Sequence, residues 1–215
     1  MTRKNDPIFN HLKEILKKEN HVEFLKVKKE RNFDINITDE SGNSLLFGAS
    51  YKNIIFLIEQ GIDVNITNKI GENALFYAFK AAEIKKLINA GINVNQLDFN
   101  NRNCLFMKDG IESLHKENVR LLIKAGLDIN HIDNDGRNIL FSLMSRPHIF
   151  EYCASKGADH TIADKNGRNV KDLIYSESRL DKIFNTLDEV KATRERAEIQ
   201  KVLSGLDKPT MKSRL

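Results

Sequence analysis

Gly61 to Phe79 reads GIDVNITNKIGENALFYAF, and most of the chain is legible as imperfect copies of this stretch. The same frame returns as NFDINITDESGNSLLFGAS from Asn32, GINVNQLDFNNRNCLFMKD from Gly91 and GLDINHIDNDGRNILFSLM from Gly126. A worn fifth copy, GADHTIADKNGRNVKDLIY, begins at Gly157. The starting positions lie 29, 30, 35 and 31 residues apart. Repetition at this interval marks a stack of supersecondary units, each burying its apolar face against the next.

Each copy carries its own local logic. Gly61, Gly91, Gly126 and Gly157 follow apolar helical segments such as Ile54–Gln60 and Val119–Ala125, where a glycine in the left-handed region ends a helix. An extended arm then leads to a second turn. Asp39, Asn68, Asp98, Asp133 and Asp164 supply turn-forming side chains just before Gly42, Gly71, Asn101, Gly136 and Gly167. Asn101 substitutes for glycine because asparagine tolerates positive φ. Ser44, Asn73, Asn103, Asn138 and Asn169 are placed to cap the next helix. The pairs Leu46-Phe47, Leu75-Phe76, Leu105-Phe106 and Leu140-Phe141 begin its buried side. One unit therefore reads as turn, helix, helix.

The pattern resembles the ankyrin repeat, whose helix-starting signature is Gly-x-Thr-Pro-Leu-His. The corresponding positions here read GNSLLF, GENALF, NRNCLF, GRNILF and GRNVKD. The turn glycine, the Asp-x-Asn of the arm and the leucine agree. No copy has the proline, and phenylalanine replaces histidine in four of the five. That exchange trades a polar link for buried area, roughly 1.5–3 kcal/mol per ring. The resemblance spans about residues 32–175 and implies an all-α solenoid of helix-turn-helix units with helical caps at both ends.

The expected division is a helical cap over 1–31, units at 32–60, 61–90, 91–125, 126–156 and a partial unit at 157–175, a capping helix over 176–204 and a mobile tail over 205–215. In the first cap, Ile8, Leu12, Ile15 and Leu16 follow helical spacing, and Val22, Phe24, Leu25 and Val27 mark a second helix. The first two full units fall short of the usual length of about 33 residues, so the connection between their helices should be abbreviated. The third carries an insertion, Met107–Asn118, and Pro147 should open a helix in the fourth. In the terminal helix the stripe is Leu180, Ile183, Phe184 and Leu187.

The chain has 215 residues, 40% hydrophobic and 30% charged, with net charge +4. No apolar run is long enough for a membrane span or signal peptide, and two cysteines fit a cytoplasmic location. Lysines on the first cap alternate with Glu14, Glu19, Glu23 and Glu30, which argues against nucleic-acid binding. The six histidines are scattered, no metal-ligand spacing or phosphate-binding loop occurs, and no nucleophile is paired with a base. An enzyme, a cofactor and a metal site are therefore not expected.

Function is sought where the copies vary. The resemblance places the residue after the turn glycine, and the turn tips, on a concave binding groove. Those positions include Glu72, Arg102, Arg137 and Arg168, with Lys69 and Phe99 at tips and Tyr77 and Met107 on the first helices. A ladder of three arginines favours an acidic protein partner. The expectation is a monomeric, non-enzymatic protein-binding module. Its narrower form is a bacterial immunity or inhibitor protein that occludes a toxin, and its alternative is a secreted effector or adaptor that binds a host protein.

Overall fold

The computed structural model describes residues 7–107 and 115–173, together with the helical positions Asn185, Asp188, Ala192, Glu195, Arg196, Ile199 and Gln200. The chain is mostly helical. Among the described residues there is no β-strand, only an isolated bridge between Thr38 and Ser44, and no helix is long and apolar enough to cross a membrane.

Eight α-helices are described: α1 (Pro7–Lys17), α2 (His21–Arg31), α3 (Tyr51–Glu59), α4 (Ala81–Asn89), α5 (Cys104–Met107), α6 (Lys116–Lys124), α7 (Ile139–Ser142) and α8 (Pro147–Ser155). Two 3-10 turns, Ala74–Tyr77 and Lys171–Leu173, complete the set. The long helices α3, α4, α6 and α8 form one row, each packed on the next. Ala74–Tyr77, α5 and α7 form a second row in the same order. The leucines and phenylalanines of the four Leu-Phe pairs are all buried. The chain reaches α8 through Arg146 and starts it at Pro147, whose fixed φ suits the first helical position.

The expected turn-helix-helix unit needs one correction. In the second and fourth units its first helix is a single turn, Ala74–Tyr77 and α7, and shortness resides there as well as in the connection. After Tyr77 the backbone becomes extended at Ala78 (φ −93, ψ 114). The carboxylate of Glu83 accepts the N–H groups of Phe79 and Lys80 at 3.2 and 3.1 Å, and Asn118 Nδ2 donates to Phe79 O at 2.8 Å. Side chains of α4 and α6 thus satisfy backbone groups that helix propagation would otherwise use.

Three sets of bonds join consecutive units. In the turns, Lys69 N–H donates to Ser41 O, Phe99 N–H to Ile70 O, Asn134 N–H to Asn100 O and Lys165 N–H to Asp135 O, all at 2.8–2.9 Å. The approach at Gly71 (φ +86) is close enough that a Cβ would stand 2.8 Å from Leu97 O, so no larger residue fits without moving backbone. In the arms, Asn36 Oδ1 accepts Asp63 N–H at 2.8 Å. Asn65 accepts from Asn93 N–H and donates to Gly91 O. Asn95 does the same with Asp128 and Gly126, and Asn130 with Asp159 and Gly157. At the fifth such place stands Thr161, whose hydroxyl donates to Asp159 of its own arm. Third, the buried caps Asn73, Asn103 and Asn138 accept an N–H in their own helical turn and donate to a carbonyl of the following arm, at Asn93, Asp128 and Asp159.

The amino-terminal helices close one end. Asn20 caps α2, and Asn32 ends it in the left-handed region (φ 46) with its N–H on Lys28 O, the position that glycine holds after α3, α4, α6 and α8. Phe9, Leu12, Ile15, Leu16, Phe24 and Val27 are buried. Asn53 of α3 donates to Leu16 O at 2.7 Å and bonds His21, which stacks on Phe56 at 4.1 Å. Val22 and Leu25, counted with the apolar stripe from spacing alone, are instead exposed. Lysines there are not all solvated: Lys13 Nζ donates to Phe47 O at 2.8 Å, and burial lowers its pKa.

At the other end, Val170 is buried and Leu173 is partly buried against the core. Leu180, Ile183, Phe184 and Leu187, the tail over 205–215 and residues 108–114 of the insertion lie outside the described residues. The described positions from Asn185 to Gln200 are helical, and Asp188 bonds both His160 (2.8 Å) and Lys171 across the fifth unit.

Candidate functional site

The five turns are variations on one hydrogen-bonded pair. In the third, Asp98 Oδ1 accepts the N–H groups of Asn100 and Arg102, both at 2.9 Å, while Oδ2 accepts Arg102 Nε and Nη2 at 2.9 and 2.7 Å. Asp133 with Arg137 and Asp164 with Arg168 repeat this bond for bond. Arg137 adds a second carboxylate, Asp135. The first turn uses an uncharged donor, Asn43 Nδ2 to Asp39 Oδ2 at 2.9 Å. The second inverts the roles, with Asn68 Nδ2 donating to Glu72 Oε2 at 2.9 Å.

These bonds orient the arginines. Each aspartate side chain is 2–5% exposed, and each guanidinium above it is 32, 43 and 52% exposed at Arg102, Arg137 and Arg168. Nε and one terminal nitrogen of every arginine are committed to the pair. The other terminal nitrogen, Nη1, has no hydrogen bond among the described residues. The three side chains line one groove of about 440 Å³ together with Phe106, Phe141, Met144 and Leu173. The ladder read from the sequence is present, but each rung is a balanced pair rather than a bare cation. Negative charge lies underneath and donors lie at the surface, so the groove favours a ligand at contact distance and steers weakly from afar.

The remaining candidates divide sharply. Glu72 is not a surface residue: it is 1% exposed, and its carboxylate accepts from Asn68 and from Tyr77 Oη, the latter at 2.6 Å. Tyr77 is occupied in the same way, packed on the core with its ring 5.0 Å from that of Phe47. Burial, and then the Glu72 carboxylate, push its phenol up to about 12. Sequence position put both on the groove, while the inverted polarity of the second turn draws them inward. Lys69 is exposed beside Phe99, which is 72% exposed at its turn tip with its N–H on Ile70 O. Met107 ends α5, and its side chain lies outside the described residues. The arginines, Lys69 and Phe99 therefore remain as surface candidates. The aspartates beneath the arginines were read from sequence only as turn formers, although their constant spacing of four residues before each arginine pointed to pairing.

Among the described residues no group of three metal-ligating side chains occurs. Both cysteines are buried without a disulfide, and burial pushes the Cys153 thiol up to about 12, where a thiolate nucleophile is suppressed.

The Asp164–Arg168 pair has an acid signature. The Arg168 guanidinium and the turn amides hold the Asp164 carboxyl at about 2, below its ordinary 3.8. A carboxylate depressed in the folded state adds stability that is complete above 3.8 and lost as pH falls towards about 2. Arg168→Asn should raise this pKa and make the loss of stability across that window shallower. Carboxyl titration followed by NMR, with denaturation at each pH, checks this; an Asp164 that titrates normally in the unaltered chain contradicts the pairing.

No protein-family model matches this chain, and no curated protein sequence matches it.

Proposed function

We propose that the chain is an ankyrin-type repeat solenoid, capped at both ends, that acts without catalysis by binding another protein in the groove of Arg102, Arg137 and Arg168. The supporting observation is the pre-set guanidinium ladder. Three forks are held by buried aspartates, so the ordering cost of presenting them is met during folding rather than on binding. The repeated turn-to-turn bonds and the two rows of helices support the solenoid reading, and the spacing of 29 to 35 residues agrees with it.

A photo-crosslinking amino acid at Ser142, which lines the groove, should capture a discrete protein in lysate of the source organism. The same group at exposed Glu151 on α8 should not. Capture at neither position, or equally at both, overturns the groove as the binding face. The narrower role, inhibition of a toxin by occlusion, requires the captured protein to be a toxin that is inactive in the complex; one that stays fully active removes that role.

A further inference from the structure

Each of the five turns ends in a two-residue tip: Glu40-Ser41, Lys69-Ile70, Phe99-Asn100, Asn134-Asp135 and Lys165-Asn166, all exposed. The tips form one ordered row, because the same bond joins every neighbouring pair. From the second tip onward, the first residue donates its N–H to the carbonyl of the last residue in the tip before it, at 2.8–2.9 Å. Along the row the charges run acid, base, none, acid, base, with Phe99 at the centre. The side chains of Glu40, Lys69 and Lys165 make no hydrogen bond or ion pair among the described residues, and exposed Asp135 gives one oxygen to Arg137. Phe99 and its neighbour Ile70 leave apolar surface in water, which association would remove.

This order is self-complementary. A two-fold axis through the third tip sets the first tip of one copy against the fifth of another, and the second against the fourth, whatever the interval between tips. Glu40 then faces Lys165 and Lys69 faces Asp135, each pair twice, while Phe99 faces its own copy. Other registers fail by charge. A shift of one tip either way sets Glu40 against Asp135 or Lys69 against Lys165, and a parallel row sets every charge against its like. We propose that the tip row is a self-association surface, on which a second copy of this chain docks antiparallel in the register centred on Phe99. Isologous pairing of this kind closes at two copies. The two Phe99 rings, flanked by Ile70, bury the apolar area, and the solvent-screened outer pairs fix register more than affinity. None of these tip residues lines the groove of the arginines, so the pairing goes beyond the reading above and does not depend on it.

Sedimentation velocity of the full chain over a concentration series tests this. The unaltered chain should dimerise, and F99A should weaken the dimer at least about tenfold. E40K and K165E should each do the same, because each sets like charges together at both ends of the row. An equimolar mixture of E40K and K165E should recover the affinity of the unaltered chain, since every end pair between the two is again opposite in sign. All three changes fall on exposed side chains, and circular dichroism verifies that folding is retained. An unaltered chain that stays monomeric up to about 1 mM overturns the proposal. So does a dimer indifferent to F99A, which uses another face, or a mixture of E40K and K165E that associates no better than either variant alone.

Discussion

Phe76→Ala should lower the unfolding free energy by about 3–5 kcal/mol, the usual cost of emptying a phenylalanine site in a packed core. The ring is 3% exposed in the turn Ala74–Tyr77, which contacts both α4 and α5. It is the phenylalanine of the second Leu-Phe pair, so the loss falls on a side chain packed where neighbouring elements meet. Stability in a stack is the sum of unit and junction terms, and this change strikes both. Denaturant titration with two spectroscopic probes measures it. A change below about 1 kcal/mol, within reach of ordinary surface substitutions, would remove Phe76 from the core.

Asn73→Ala should cost about 2–4 kcal/mol, from two separable losses. Asn73 is 1% exposed; its Oδ1 accepts Leu75 N–H at 3.1 Å and its Nδ2 donates to Asn93 O at 2.8 Å. Losing the cap accounts for about 1 kcal/mol, and taking the donor from the Asn93 carbonyl adds about 1–3 kcal/mol. Asn73→Ser separates the terms. Ser44, at the same place in the first unit, keeps a bond from Leu46 N–H at 3.3 Å. The serine variant should retain the cap and lose only the link to the next unit. Equal stability of the alanine and serine variants would contradict that division.

The period, the helix ends and the burial of the Leu-Phe pairs were legible because each depends on residue type at one position. Gly61 and its equivalents, Asn32, Asn101 and Pro147 acted as their backbone preferences required. The single-turn first helix was not legible. In the second unit it arises from Glu83, which caps the following helix, and from the distant Asn118, which together engage the backbone of Phe79 and Lys80. The same reason hid the fates of Glu72 and Tyr77. Residue by residue, Glu72 aligns with the arginines; only its pairing with Asn68 in place of aspartate shows that donor and acceptor have exchanged places. A substitution series follows from that arrangement. Alanine at Arg102, Arg137 and Arg168 would leave three nearly buried carboxylates without their counter-ions and so perturb the fold; asparagine is the conservative probe.

The arm asparagines give the stack a direction. Asn36, Asn65, Asn95 and Asn130 each reach forward to the next arm, and the sequence of catches stops at Thr161, whose hydroxyl turns back on Asp159. Beyond it, Asp188 engages His160 and Lys171. A second copy laid end to end against the fifth unit would find no arm asparagine waiting for its leading arm. Head-to-tail contact between identical units is the geometry that builds open fibres, and this molecule has removed its catch at the growing end. A unit inserted between existing ones would find both the catch and its receiver, whereas one placed after the last would meet no arm asparagine.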